Sequence, residues 1–535
     1  MSIAISEDHR ALAETADAFL TKANSKGAAR ELLTAETEAL PGFWSELSNL
    51  GWPGLHLPEA HGGSGYGAPE QVVIVEALGR HATPGPYVPT IVVSAAIAAV
   101  ADEATQAALL PGFASGATIG ALSLVNDATI ADGKVSGSAG VVISGALADV
   151  LAIAVGDDLA LVTVADGGVT AEVPKNLDLT RRSARVTLDA TPATIVAGGA
   201  RALVDYARLY FAAEAMGIAR EVNDLAAAYA NERLQFGRVI GMYQAVKHHC
   251  ANMAVGTELA TAAVWDAARS EATGGDQLSI AAAIAATLAI GTAEWNSQLC
   301  QQVHGGIGFT WEHDAHIYLR RATTMKVALP EKDSAERVVD LARAGVRRER
   351  IIDLPPEAEP IREAVKAFAS KVKDLDTDAQ RAAMLEEGYA MPHWPKPWGR
   401  AAGAVEQLVI EEEFKAAGVR KPAYGITGWV ILTLIQHANE DQIARWVQPA
   451  LNQDVIWCQL FSEPDAGSDA AGIKTRATRV DGGWLINGQK VWTSGAHYSK
   501  YGFATVRTNP DVPKHQGITM VVIDLDAEGV EVRPI

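Results

Sequence analysis

Along residues 1–117 apolar side chains recur at the three-to-four-residue spacing of helices, broken once by the Gly/Pro-rich stretch GWPGLHLPEAHGGSGYGAPE (51–70). Ser6 followed by Glu7 and Asp8 predicts a capped helix start. Over 118–200 the pattern changes to short β-branched runs such as VVISG, VLAIAV and LALVTV. Asp/Gly turns (ADGK, VGDD) separate them, which predicts a small antiparallel β domain. Helical periodicity returns over 201–347 at lengths that suit a bundle. There TGGD (273–276) is expected to stop one helix at Gly274 and Gly275 and to cap the next with Asp276.

After a charged, proline-containing linker (348–360) the pattern restarts. Residues 361–456 are helical and 457–535 are strand-like, with Asp-Gly and Asn-Gly hairpin signals in VDGGWLINGQKVW. GAPEQVVIVEAL and GAVEQLVIEEEF match at an offset of 406 − 70 = 336, and Pro111 matches Pro449 at an offset of 338. The chain therefore reads as a tandem duplication of a helical–β–helical unit, with the second copy stopping inside its β domain.

Composition narrows the function classes. The net charge of −19 argues against a nucleic-acid partner. Cys250, Cys300 and Cys458 match no metal or CxxC spacing, and no metal site is expected. The apolar runs from Ile91 and Leu278 fall short of the roughly 18–20 residues of a bilayer span. No signal-peptide pattern opens the chain, so a soluble, cytoplasmic protein is expected.

Four strings carry the chemistry: NERLQFGRVIGMYQAVKH (231–248), QQVHGGIGFTWEHDAHIYLRR (301–321), LFSEPDAGSD (460–469) and QKVWTSGAHYS (489–499). With the helical–β–helical order, they resemble the acyl-CoA dehydrogenase family. The resemblance covers nearly the whole chain, as one complete copy and one partial one. It implies FAD as cofactor, an acyl-CoA substrate, an electron-transfer flavoprotein as partner and a homodimer of duplicated chains. In the first string it assigns Arg233, Phe236 and Gln244, with Gly237, to the adenosine diphosphate end of FAD. A guanidinium can grip pyrophosphate bidentately there. In the second it assigns Gln302, Gly305 and Gly306 to the adenosine. His304 and His313 read as packing or surface residues. In the third, Phe461, Ser462 and Ser468 run along the flavin, and Gly467 is expected to allow a tight turn. In the fourth, Trp492 packs on the isoalloxazine and Ser494 reaches N5, with Thr493 between them.

The first β domain has LVNDATIADG in place of the flavin loop and Val141 or Val142 in place of the Trp. This predicts a division of labour, in which the first copy supplies the adenosine side and the second the isoalloxazine side of one shared FAD. It also resembles a fusion of the unlike subunits of heteromeric dehydrogenases of bacterial steroid side-chain catabolism, which implies a bulky acyl-CoA. The implied α,β-desaturation needs a carboxylate base. The two family positions fall on Ala207 and Leu329, and Glu331 lies two residues beyond the second. The base is expected beyond Ile535, with Glu331 as the weaker candidate. The competing readings are a flavin oxidase or monooxygenase on the same fold, and a non-catalytic binding subunit.

Overall fold

The computed structural model describes residues 5–349 and 354–534, so part of the 348–360 linker lies outside the described residues. The chain divides into two compact units, Met1–Ile351 and Ile352–Ile535.

In the first unit, helix Glu7–Lys22 starts as the sequence predicts, with the Ser6 hydroxyl accepting the His9 amide at 3.1 Å. Helices Ala68–Arg80 and Tyr87–Val100 pack against the bundle helix Ala200–Glu232 in a continuous apolar core. Between them lies the β domain: β1 (Gly120–Ser123), β2 (Thr129–Ala131), β3 (Lys134–Ile143), β4 (Val150–Val155), β5 (Asp158–Thr163), β6 (Val169–Glu172), β7 (Ser183–Pro192) and β8 (Thr194–Val196). Two sheets form, ordered β1-β4-β5-β8 and β2-β3-β7-β6. Their inner faces bury Val135, Val142, Ile153, Val162 and Val186 in a shared core. The β2–β3 turn places Asp132 (φ 50°) and Gly133 (φ 68°) in the left-handed region, as a two-residue hairpin requires.

The β domain is not wholly antiparallel. β1 runs parallel to β4, because the chain crosses to the other sheet and back between them. The TGGD segment also differs from expectation. Gly274 and Gly275 do take positive φ, but Asp276 lies in the first turn of helix Gly275–His304 and its carboxylate meets Arg201 at 2.6 Å instead of capping. That 30-residue helix, with the turn after it, is long and apolar enough to cross a bilayer by length and composition. The run from Leu278 belongs to a longer apolar element than its own length suggested. Most of that stretch is buried against the neighbouring helices of the unit, as in a core helix.

A short ribbon, β9 (Leu234–Gln235) and β10 (Arg238–Val239), follows helix Ala200–Glu232, and the unit is clasped by buried charge. Glu214 on helix Ala200–Glu232 accepts two bonds from Arg181 (2.7 and 2.8 Å) and one from Arg321 (2.7 Å). Arg181 also reaches the Gly85 carbonyl at 3.0 Å, and Arg321 pairs with Asp178. Burial raises the Glu214 carboxyl, but the two guanidiniums outweigh it and hold it below its ordinary value. Beside the clasp, burial pushes Glu38 up to about 7. The Arg181 charge pulls the other way, yet neither carboxyl oxygen has a hydrogen-bond partner among the described residues.

The second unit carries helices Ala358–Val372, Ala404–Ala417, Ile426–His437 and Glu440–Leu451 on one core. Its strands are β11 (Trp457–Leu460), β12 (Arg476–Val480), β13 (Gly483–Asn487), β14 (Tyr501–Arg507) and β15 (Ile518–Asp524). The Asp481–Gly482 pair makes the β12–β13 hairpin. Asn487–Gly488 does not turn a hairpin: it ends β13, with Gly488 pressed so closely on Thr475 that no Cβ fits. β11 pairs β14 in parallel, as β1 pairs β4.

Glu214→Gln is expected to cost about 3–5 kcal/mol, because it leaves two buried guanidiniums facing a neutral group; an unchanged melting temperature would contradict the clasp. Glu38 has a raised folded pKa, so it weakens the fold as pH rises from about 4.5 through about 7. Glu38→Gln is expected to melt above the parent protein at pH 8 and to converge with it below pH 4.5; equal melting at both pH values would contradict the assignment.

Candidate functional site

In the first unit, helix Ala200–Glu232 ends at Arg233 and runs into a two-stranded ribbon, β9 (Leu234–Gln235) and β10 (Arg238–Val239), whose strands pair in antiparallel fashion. The turn residues Phe236 (φ 53°) and Gly237 (φ 78°) are both left-handed. Such turns favour Asn-Gly, and a bulky residue there costs roughly 1–2 kcal/mol. Phe236 is also 92% exposed, so the strain holds an aromatic ring in solvent. Tyr243 braces the ribbon, its hydroxyl on the Gln235 carbonyl at 3.2 Å and its ring under Arg238 at 4.2 Å. Gln244 opens the next helix, Gln244–Ser270, and Arg233 and Gln244 are both exposed.

Helix Gly275–His304 ends at Gly305, which takes φ 63°. A Cβ on Gly305 or Gly306 would meet nothing within 4 Å, so bare backbone faces open space beside exposed Gln302. His304 turns inward, its Nδ1 2.8 Å from the Cys300 carbonyl oxygen and its ring stacked 4.5 Å from Tyr229. That stack joins the two motifs, since Tyr229 lies one turn before Arg233. His313 packs on His304 at 4.4 Å. Among the described residues no cluster of three His, Cys, Asp or Glu could hold a metal.

In the second unit, β11 leads into the loop from Phe461, and a buried ion pair organises it. Lys490 Nζ lies 2.8 Å from Glu463 Oε1 and 3.0 Å from the Phe461 carbonyl. Glu463 also accepts the amides of Lys474 (2.6 Å) and Thr475 (3.0 Å). Burial raises the Glu463 carboxyl, but Lys490 and these amides outweigh it and bring it to about 2. At Lys490 the balance is opposite: burial outweighs the single carboxylate and lowers its pKa. The Val491 amide donates to the Ser462 carbonyl at 2.9 Å, which ties the loop to the next segment. One residue on, Trp492 sits at φ 60° and is 75% exposed, a second strained aromatic held in solvent. Phe461, Ser462 and Thr493 are half-buried, and Ser468 and Ser494 are exposed. Gly467 does not serve the turn as expected: its φ lies outside the left-handed region and a Cβ there would meet nothing. Ser494, with Gly495, Tyr498 and Thr427, lines a cavity of about 580 Å3 that no carboxylate borders among the described residues.

Sequence reasoning missed Lys490 and Glu463 as positioning residues. Both stand inside quoted motifs, but 27 residues separate them and no local pattern pairs them.

The two β domains can be superposed residue by residue through shared hydrogen bonds. Thr90 accepts the amide of Gly120 at 3.1 Å, and Thr427 accepts that of Trp457 at 3.1 Å, so 427 − 90 = 457 − 120 = 337. Beyond the hairpin and the bulges of β3, the Gly145 amide donates to the Val142 carbonyl as the Ala496 amide does to that of Thr493, and Gly120 pairs with Val150 as Trp457 does with Tyr501, so 496 − 145 = 501 − 150 = 351. By these offsets Phe461 and Ser462 correspond to Leu124 and Val125, and Trp492 and Ser494 to Val141 and Ile143. Glu463 and Lys490 correspond to Asn126 and Ala139, so the ion pair is missing from the first β domain. Val141 is exposed, whereas Val142 is a core residue, so Val141 holds the position of the Trp. Leu329 lines the cavity of the first unit, while Glu331 faces a separate shallow pocket with Lys326 and Lys332.

The ion pair predicts a pH response. Glu463 has a depressed folded pKa, so its contribution is complete above about 4.5 and is lost as pH falls toward about 2. The parent protein is expected to lose melting temperature over that interval. Glu463→Gln, already weaker at pH 7, is expected to show a shallower acid slope; parallel slopes would contradict the pairing.

Comparison with known proteins matches this geometry to one family. The acyl-CoA dehydrogenase N-terminal domain model matches residues 6–117 and again 355–454. The C-terminal domain model matches 199–329, and the middle domain model 458–535. The chain is 41% identical over 493 residues to the acyl-CoA dehydrogenase FadE34 of Mycobacterium tuberculosis, covering 91% of this chain and 68% of that protein. It is 33% identical to the acyl-CoA dehydrogenase IpdE2 of Mycolicibacterium smegmatis, covering 59% of this chain and 93% of that one. A solved variant of the steroid dehydrogenase Tcur3481-Tcur3483 superposes with a TM-score of 0.59 at 28% identity, over 63% of this chain and 98% of the other. The chain belongs to the acyl-CoA dehydrogenase family, whose members are oxidoreductases acting on CH–CH bonds.

Proposed function

We propose that this chain is an FAD-dependent acyl-CoA dehydrogenase that desaturates a bulky, steroid-like acyl-CoA at its α,β bond. It is a tandem duplication in which only the second β domain receives the reactive end of the flavin. The observation that carries this reading is the loop pinned by Lys490 and Glu463, which presents Trp492 beside Ser494. The aliphatic Leu124, Val125, Val141 and Ile143 at the matching places of the first β domain support it from the other side.

Bound FAD would supply the hydride acceptor. Trp492 would pack on its ring system and Ser494 would donate to it. Phe461, Ser462, Thr493 and Ser468 would line it. Arg233, Phe236 and Gln244, with Gln302 and the open backbone at Gly305 and Gly306, would hold the adenosine diphosphate end, within one chain or between the chains of a homodimer. The residues fit the group: exposed aromatics held at a conformational cost and bare glycine backbone both suit a ligand with flat rings and phosphates. Among the described residues we assign no catalytic carboxylate, Glu331 being a surface acid. An electron-transfer flavoprotein as acceptor and a cytoplasmic setting complete the proposal. The steroid-like acyl group draws support from the similarity to the steroid dehydrogenase Tcur3481-Tcur3483.

Arg233→Ala and Trp492→Ala are each expected to weaken FAD binding by about 10- to 100-fold, the loss of one charge-assisted or stacking contact. Val141→Ala is expected to leave FAD content unchanged. Val142 is a poor control, because its replacement tests core packing. FAD retained in both binding variants would sink this division of labour, and dioxygen-dependent turnover would favour an oxidase.

A further inference from the structure

The first unit holds a cavity of about 770 Å3, within the roughly 300–1,000 Å3 usual for small-molecule sites. Leu124, Val125, Val141 and Ile143, the counterparts of four residues proposed to hold flavin, all line it. Two of them are apolar yet open, Val125 at 73% and Val141 at 65% exposure, and Val327 in the same lining is 77% exposed. These side chains contribute little to packing within the unit.

The neutral polar groups of the walls are largely occupied. Asn126 donates to the Ala154 carbonyl at 2.8 Å and accepts the Ala128 amide at 3.1 Å. Asn176 donates to the carbonyls of Pro174 and Ser183 and accepts the Ser183 amide. Ser138 accepts the Gly140 amide at 3.1 Å. The charged lining residues Asp127, Lys175 and Asp333 are exposed and can stay hydrated. Hydrocarbon is therefore what the walls offer a guest. They are also stiffened from behind: Leu177 and Ser183 flank the Asp178–Arg182 segment, Phe211 precedes Glu214 by one turn, and Thr323 follows Arg321. A cavity held by a buried charge clasp resists collapse when empty.

We propose that this cavity is a redox-silent lipid site, which binds the hydrocarbon body of an acyl group or free lipid by apolar burial. The inference rests on the reading above in taking the second β domain as the flavin-bearing one and a steroid acid as the probe.

Equilibrium dialysis of the full chain with radiolabelled 5β-cholanic acid tests it, since a free acid offers no thioester to the flavin chemistry. Saturable binding is expected. Val141→Arg and Val327→Asp, which put charge on open parts of the wall, are expected to weaken it at least tenfold while FAD content stays at the parent level. Trp492→Ala is expected to lose FAD and keep the lipid site. Competition by cholanoyl-CoA that disappears in Val141→Arg would identify the acyl thioester as the source. Competition by unlabelled free acid alone would identify a free lipid. No saturable binding, or binding that survives both charged variants, would overturn the proposal. Failure of FAD loading in the parent protein would count against the proposed function and leave Val141-dependent lipid binding measurable.

Discussion

Glu214 lies fully buried in the first unit with a guanidinium on either side. A lone buried carboxylate would cost several kcal/mol, and two lone guanidiniums more, so each charge is tolerable only because the others are present. That mutual dependence fixes three chain segments at once: the Asp178–Arg182 stretch entering β7, helix Ala200–Glu232 and helix Ala315–Ala328. The cavity of the first unit takes walls from these helices and from the residues flanking the Asp178–Arg182 stretch, and the Arg233 and Gly305 motifs extend from helices of the same packed group. Apolar burial supplies most of the stabilisation here, as in any domain, but it has no direction. The clasp supplies the geometry.

A smaller version of the same device serves the second β domain. Lys490 and Glu463 are buried together and saturated by backbone groups, so the loop and the Trp492 segment behave as one piece. The first β domain keeps the strand pairing and the Thr90 hydrogen bond, yet has Asn126 and Ala139 at the two charged positions. The strand frame is thus separable from the ion pair and the aromatic: the first β domain has the frame and neither of the other two. Apolar side chains of the cavity wall stand at the matching places.

How much of this could be read from the sequence depended on whether the deciding force was local. Helix periodicity, the Ser6 cap and the Asp-Gly turns are local, and they placed the main elements. Interactions across the fold were not legible. Asp276 had the right type and place for a cap, but Arg201 claims its carboxylate. The parallel pairing of β1 with β4 leaves no trace in alternation, because strands of either sense alternate alike. Val141 and Val142 were indistinguishable until the β3 face was known. The left-handed backbone at Phe236 and Trp492 could not be predicted, because propensity argues against it at bulky residues. Those two positions were nevertheless marked by motif, and there the structure adds a physical reason to look.

A chain with two β domains of the same frame is proposed to bind flavin at only one of them. The ratio of FAD to polypeptide in the purified, FAD-saturated protein tests this most directly, with FAD released by denaturation and measured by absorbance against protein from amino-acid analysis. One FAD per chain is the predicted result. Two per chain would show that Leu124, Val125, Val141 and Ile143 hold a flavin after all, and would contradict the claim.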